Sequence, residues 1–263
     1  MSSPIAVVLA AGQGTRMKSD LPKVLVPVLG RPMIEFVLDA LAAAGIERVI
    51  AVVGYRAEDA KESIGSYLHL RSGTATGQVG NLSYVDYALQ TERLGTGHAV
   101  KMAAGLLQGH EGPVLIVTGD SPLIQPSSIQ ELLAHFEHHR PACLLGTLHK
   151  ANPTGLGRIV RDAAGQFVGI VEEKDATAEQ KQITEVNMST YVFDCRELLH
   201  ALSQLKDDNR QREFYLTDCP GILQAEGKRV EALPVLKECE ALSINTIDEL
   251  QSVEEAMQKL GYQ

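Results

Sequence analysis

An unbroken apolar run, Ile5–Ala10, closed by Ala11-Gly12-Gln13-Gly14, constrains this chain more than any other feature. Six apolar residues bounded by turn formers read as a buried strand. Gly12 and Gly14 let the backbone turn tightly and approach a ligand closely. Arg16, Lys18 and Lys23 follow, with Arg31 just beyond. Between Gly12 and Ile34 these four cations face one acid, Asp20, a local balance of +3 in a chain of net charge −9. Free amides and clustered cations after a strand form a seat for phosphates.

Two familiar phosphate motifs do not fit. The dinucleotide fingerprint G-x-G-x-x-G needs a third glycine, and counting from Gly12 that place holds Met17. The string G-x-x-x-x-G-K-[ST] does not occur. The plainer alternative is a glycine turn with solvated lysines.

Strand and helix alternate in the first half. Segments 48–54, 82–88 and 113–119 are rich in Val, Ile and Tyr and end at turn residues. Segment 32–44 carries Ile34, Val37, Leu38 and Leu41 on one helical face, and Gly45 can stop it. Segment 97–107 is a second helix. This alternation predicts an α/β fold: a mostly parallel central sheet with helices on both faces, binding its ligand beyond the carboxyl ends of the strands. The glycine loop and Asp120 both fall at such ends. The second half predicts strands over 142–150, 157–162, 167–173 and 189–194, with Ala163-Ala164-Gly165-Gln166 closing a hairpin. Segment 65–80 reads as a flexible surface insertion. A last helix starts near Thr246, where Thr246 and Glu249 have capping-box spacing and Gly261 suits the end. The expectation is one domain over 1–263: a nucleotide half (1–120), a sugar-facing half (121–245) and the final helix (246–263).

Composition excludes more than it selects. A pI near 5.4 argues against a nucleic-acid binder that works by phosphate neutralisation. No apolar stretch approaches the roughly 20 residues of a membrane span. The first residues show no charged segment followed by a long apolar run, so no signal peptide is expected. Cys143, Cys195, Cys219 and Cys239 form no C-x-x-C pair and read as reduced thiols of a cytoplasmic protein.

Leu9-Ala10-Ala11-Gly12-Gln13-Gly14-Thr15-Arg16-Met17 followed by Leu21-Pro22-Lys23 resembles the signature of the sugar-nucleotide pyrophosphorylases. Gln90, Leu94-Gly95-Thr96-Gly97-His98-Ala99, Gly119-Asp120, Gly155-Leu156-Gly157-Arg158-Ile159 and Gly169-Ile170-Val171-Glu172 follow in order. Together they are similar to the uridylyltransferase half of the bacterial bifunctional N-acetylglucosamine-1-phosphate uridylyltransferases, over residues 5–250. The resemblance implies an enzyme that converts UTP and N-acetylglucosamine-1-phosphate to UDP-N-acetylglucosamine and pyrophosphate with Mg²⁺. Arg16 and Lys23 would act on the phosphates. Leu9, Ala10, Ala11, Gly12, Gln90, Gly95, Thr96, Gly119 and Asp120 would hold the nucleotide, Gln90 offering both donor and acceptor to the uracil edge. Gly157, Glu172, Asn187, Tyr215 and Thr217 would hold the sugar. Asp120 and Asn245 would bind the metal; otherwise Asp120 is a turn residue and Asn245 a helix cap, although Thr246 can fill that cap.

Two departures from the family stand out. Met188-Ser189 follows Asn187 where the family has a small residue and glycine, which puts a larger side chain beside the acetamide position. These 263 residues also hold no hexapeptide repeats. The expectation is therefore no acetyl transfer and no trimer of the kind that such a domain builds. Glucose-1-phosphate as substrate, another base, or a non-catalytic nucleotide-sugar sensor remain the alternatives. His135, His138 and His139 read as a solvated helix face rather than a metal site, and 207–212 as an exposed turn.

Overall fold

The structure is a computed structural model and describes residues 2–17, 19–72, 82 and 84–262. Its first element is the strand read from the sequence, β1 (Ile5–Ala10). Two short strands, β2 (Pro27–Val28) and β3 (Arg31–Pro32), precede α1 (Met33–Ala43). Then come β4 (Arg48–Val53), α2 (Ala57–Ser72), β5 (Tyr84–Leu89), α3 (Thr96–Leu107) and β6 (Pro113–Thr118). The second half holds α4 (Pro126–His139), β7 (Cys143–His149), β8 (Arg158–Arg161), β9 (Phe167–Val171) and β10 (Glu185–Asp194). It closes with α5 (Cys195–Gln204), α6 (Asp218–Ala225), β11 (Val230–Leu233) and α7 (Ile247–Lys259).

The central sheet runs β11-β7-β10-β6-β1-β4-β5, with β8 and β9 attached at β10. Among the described residues, β10 is antiparallel to both neighbours and every other pairing on this path is parallel. Alternation along β1 explains the layers. Ala6, Val8 and Ala10 join a core with residues of α1, α2 and α4, while Ile5 and Val7 join one with residues of α3, α5 and α6. Apolar residues on both faces require helices on both faces, which is what the βαβ order supplies. A third, smaller cluster joins Met17, Val26, Val28, Met33 and Phe36 to Val253 and Met257 of α7.

The hairpin between β8 and β9 turns where the sequence predicts: Asp162 Oδ1 accepts from the amides of Ala164 and Gln166, both at 2.9 Å. Two expectations need correction. Residues 65–72 belong to α2 and not to a flexible insertion, because Ala60, Ile64 and Tyr67 are buried in the first core; 73–80 lie outside the described residues. The strand expected at 189–194 begins at Glu185. A bulge between Asn187 and Thr190, with Ser189 at φ 55°, hides its earlier part from a period-two reading.

Candidate functional site

The carboxyl ends of β1 and β6 lie side by side, Leu9 opposite Thr118. Beyond β1 the chain makes its glycine turn, with Gly14 at φ 68°, and returns so that the Lys23 amide donates to the Gly12 carbonyl at 3.1 Å. Beyond β6, the Gly119 amide donates to the Leu9 carbonyl at 2.9 Å, which sets Asp120 beside the returning chain. The Lys23 ammonium is ion-paired to Asp120 and donates to Asn245 Oδ1 at 2.8 Å. Arg16 donates to the same Asn245 oxygen at 3.2 Å. Four residues nominated from three distant segments thus converge on one point.

Asn245 is held there by α7. Thr246 is the cap of that helix, accepting from the Glu249 amide at 3.2 Å. The Glu249 carboxylate accepts from the backbone amides of Asn245 (2.7 Å) and Thr246 (2.9 Å). This capping box frees the Asn245 side chain. Burial of Val253 and Met257 seats the helix, at roughly 1.5–3 kcal/mol for each side chain. A carboxylate and an amide oxygen sharing one cation are also the donor set of a hard divalent ion. The residues present therefore fit Mg²⁺.

A cavity of about 390 Å³ opens beside this point. Of the residues nominated for the nucleotide, Leu9, Ala11, Gly12, Gln90, Gly95, Thr96 and Asp120 line it, as does Lys23. Ala10 is buried at the end of β1, and Gly119 lies under the loop. Gly95 has φ 98°, and a Cβ there would stand 2.5 Å from the Phe214 carbonyl. The loop it starts is strapped to the second half of the chain: Phe214 N donates to Leu94 O at 2.7 Å, and Gly97 N to Phe214 O at 2.8 Å. The Thr96 hydroxyl accepts from the Leu216 amide at 3.2 Å. One expectation is corrected. The Gln90 amide nitrogen is committed to Gly95 O (3.2 Å) and His98 Nδ1 (3.1 Å), so Gln90 offers the cavity an acceptor and not a donor.

Sequence reasoning passes over Arg93 and Glu213, which also line this cavity. Arg93 lies between two nominated positions, and a basic residue there is the signal to weigh. Glu213 gives no local signal; it arrives through the strap to Gly95.

Tyr215 lines this cavity and a second one of about 340 Å³, bounded also by Gly155, Glu172, Glu173, Lys174 and Gln211. Asn187 N donates to Gly157 O at 2.9 Å, and a Cβ on Gly157 would lie 3.5 Å from Glu172 Oε1 and 3.7 Å from Asn187 Cβ. Gly157, Glu172 and Asn187 are therefore neighbours. The Asn187 side chain is buried, donating to Tyr191 Oη at 2.9 Å and accepting from Ser189 N at 3.3 Å. Met188 packs against the first core cluster, which Val186 also joins, whereas Tyr191 belongs to the second. Strand alternation thus turns Met188 away from Asn187. Thr217 precedes α6 at its N-cap position without a side-chain capping bond, and neither cavity lining includes it, Gly157 or Asn187.

The electrostatics of the second cavity are acidic but compensated. A hydrogen bond from buried Arg158 (2.5 Å) holds the Glu173 carboxyl below its usual range. Outside the lining, at the start of α6, burial reinforced by Asp208 and Glu172 pushes Asp218 up. On α4, His135 bonds Glu231 at 2.6 Å and stacks on His139. Among the described residues no three His, Cys, Asp or Glu side chains gather into a metal cluster.

Residues 5–236 match the family model described as "Nucleotidyl transferase". The chain is 40% identical over 259 residues to "Bifunctional protein GlmU" of Halalkalibacterium halodurans, covering 98% of this chain and 53% of that one. It is 44% identical over 243 residues to the protein of the same name from Geobacillus thermodenitrificans, covering 91% and 49%. The chain spans about half the length of these curated relatives. A solved UDP-glucose pyrophosphorylase, complexed with UDP-glucose, superposes with a TM-score of 0.76 at 20% identity, covering 98% of this chain and 99% of that one, which establishes the shared fold.

Proposed function

The chain belongs to the nucleotidyl transferase family, as a nucleotidyltransferase of the sugar-nucleotide pyrophosphorylase type, and from that premise we propose that it is a Mg²⁺-dependent uridylyltransferase that makes UDP-N-acetylglucosamine and pyrophosphate from UTP and N-acetylglucosamine-1-phosphate. The observation that carries this is the meeting of Lys23, Asp120, Asn245 and Arg16 at the mouth of a cavity floored by the glycine loop.

A phosphate oxygen of the sugar phosphate attacks the α-phosphorus of UTP, and the bond from that phosphorus to the β-phosphate oxygen breaks. The nucleophile is already anionic, since the second pKa of a phosphate monoester is about 6, so no general base is needed. The obstacle is charge. Lys23 and Arg16 supply cations for the phosphates, and the glycine loop brings its backbone close to them. Bound by Asp120 and Asn245, Mg²⁺ would neutralise charge developing on the leaving pyrophosphate. The acceptor oxygen of Gln90 suits the N3–H of uracil, which cytosine lacks. Glu172, in the lining of the second cavity, and Asn187, buried beside it across Gly157, are assigned to the sugar hydroxyls and the acetamide.

The cytoplasm is the assigned setting. All four cysteines are free, and among the described residues no helix is long and apolar enough to cross a membrane. The direct test is pyrophosphate release from a matrix of nucleoside triphosphates and sugar-1-phosphates with Mg²⁺. UTP with N-acetylglucosamine-1-phosphate should dominate. Release from no pair would return the protein to the sensor alternative.

A further inference from the structure

We propose that Arg93 contacts the nucleobase: its guanidinium, held against Tyr55 at the cavity wall, covers the pyrimidine ring of a bound uridine nucleotide. This rests on the uridylyl-transfer function above and adds a binding residue to that site.

Arg93 lines the nucleotide cavity between Gln90 and Gly95, which line it too. Its guanidinium carbon lies 5.7 Å from the centre of the Tyr55 ring. Tyr55 is itself anchored to the glycine loop, its amide donating to the Ala11 carbonyl at 3.2 Å. The cavity's other cation, Lys23, is engaged by Asp120 and Asn245. Gln90 has spent its amide donors on Gly95 and His98. Arg93 forms no ion pair among the described residues, so it carries hydrogen-bond donors still open to a ligand.

Topology decides which part of the nucleotide it meets. The phosphate residues stand at the ends of β1 and β6, whereas Tyr55 follows β4 and Arg93 follows β5, and the sheet order there is β6-β1-β4-β5. Gln90 is pinned at the same end, donating from its backbone to Val53 O at 2.8 Å. Strands are spaced about 4.8 Å apart, so the end of β5, which leads into Arg93, lies roughly 10 Å along the sheet from the end of β1. The ribose and the base ring together reach about that far from the α-phosphate. At the base end, a planar guanidinium backed by an aromatic ring stacks on a second π face. A lysine ammonium at the same place is a point charge and does not.

The test is calorimetric binding of UTP and UMP to wild type, Arg93→Ala and Arg93→Lys. Arg93 is exposed, and the variants should keep the wild-type circular dichroism. Arg93→Ala should weaken UMP and UTP by a similar factor, about 10-fold, and Arg93→Lys should recover only a minor part of that loss. A loss for UTP much larger than for UMP would assign Arg93 to phosphate and overturn the proposal. So would unchanged affinity in Arg93→Ala, or full recovery in Arg93→Lys. Wild-type protein that binds neither nucleotide would overturn the uridylyl function as well, which separates the two failures.

Discussion

The ammonium of Lys23 stands 2.8 Å from Oδ1 of Asn245 while ion-paired to Asp120, so one side chain bridges two residues 125 positions apart in the chain (245 − 120). Asp120 and Asn245 are the residues that would hold a divalent cation, and here the ammonium engages both. On the proposed function the same three residues would serve two arrangements: the one seen, closed on the ammonium, and one open to metal and triphosphate. Lys23 must leave this point to reach a phosphate.

Lys23→Met is predicted to separate these roles. Without the ammonium, the Asp120 carboxylate loses its ion-pair partner, and Mn²⁺ used as a probe should bind the nucleotide-free protein several-fold more tightly. Turnover should fall all the same, with kcat/KM down about 10²-fold, because transition-state charge has lost its cation; Arg16→Ala should lose a similar factor. Electron paramagnetic resonance titration of free Mn²⁺ measures the first effect. Unchanged Mn²⁺ affinity in Lys23→Met would mean that the ammonium does not compete with metal.

Metal removal tests the oxygens directly. Asp120→Asn keeps the shape of the side chain but removes its charge. It should nearly abolish turnover, with Asn245→Ala acting in the same direction. Excess chelator should silence the wild type, and added Mg²⁺ should restore it. Activity that persists in chelator would refute metal assistance.

Gly95→Ala is predicted to damage the nucleotide loop. The position combines φ 98° with a site where a Cβ would meet the Phe214 carbonyl at 2.5 Å. The backbone strain alone is worth about 1–3 kcal/mol. Either the strap between Leu94 and Phe214 opens or the loop shifts. UTP affinity should drop at least 10-fold, and amide exchange at Gly97 and Phe214 should quicken. Wild-type exchange rates at both amides would show that the strap tolerates the methyl group.

The first half of this fold is legible in the chain because local and global signals agree. β1, β4, β6 and α1 appear within a residue or two of their sequence-derived bounds. Their apolar runs are buried on both sides, or along one helical face, and end at glycine or at another turn former. The second half is less legible. β10 contains a bulge at Ser189, which breaks the alternation that would reveal Glu185–Met188 as strand. In the first half α2 is the exception: Gly65 and a weak apolar stripe mask a helix held by tertiary burial of Ala60, Ile64 and Tyr67. Asn245 is nominated by resemblance, but its freedom follows from chemistry visible in the chain, the Thr246–Glu249 capping box. The engagement of Gln90 with His98, and the arrival of Glu213 at the cavity, depend on long-range packing that no local pattern encodes.

Acid stability should report on the buried network of the second half. Glu185 is 4% exposed and accepts from Arg161 through two nitrogens and from Thr147, all at 2.6 Å. Burial alone would raise its pKa, but the hydrogen bonds from Arg161 and Thr147 outweigh it and hold the carboxyl below the usual range. A depressed pKa contributes stability that is present above the unfolded value, about 4.3, and is lost as pH falls through the lower folded value. Glu185→Gln should therefore cost about 2–3 kcal/mol at pH 7. The gap to wild type should be constant down to about pH 5 and shrink below about pH 4. Urea midpoints across this range measure it. A gap that grows on acidification would reverse the sign of the linkage.

Sugar choice is predicted to turn on Asn187, whose amide is already bonded to Tyr191 and to the Ser189 backbone. One hydrogen of the amide nitrogen and one lone pair of its oxygen remain for a ligand. Met188, turned into the first core cluster, does not crowd this position. A sugar lacking the acetamide would leave that capacity unpaired, at roughly 1–3 kcal/mol. N-acetylglucosamine-1-phosphate should therefore be preferred over glucose-1-phosphate by about 10- to 100-fold in kcat/KM. Asn187→Ala should narrow the ratio, chiefly by harming the acetylated substrate, but it also breaks a buried hydrogen bond and lowers stability. Tyr191→Phe provides the control. It removes the acceptor that orients Asn187 and leaves the amide in place, so the ratio should narrow less than in Asn187→Ala, and the loss should appear mainly in KM for the acetylated sugar. Competition between both sugars at equal concentration reads the ratio directly. A wild-type preference for glucose-1-phosphate, or a ratio that neither substitution moves, would remove Asn187 from the acetamide and leave Glu172 and Tyr215, which line the second cavity, to examine.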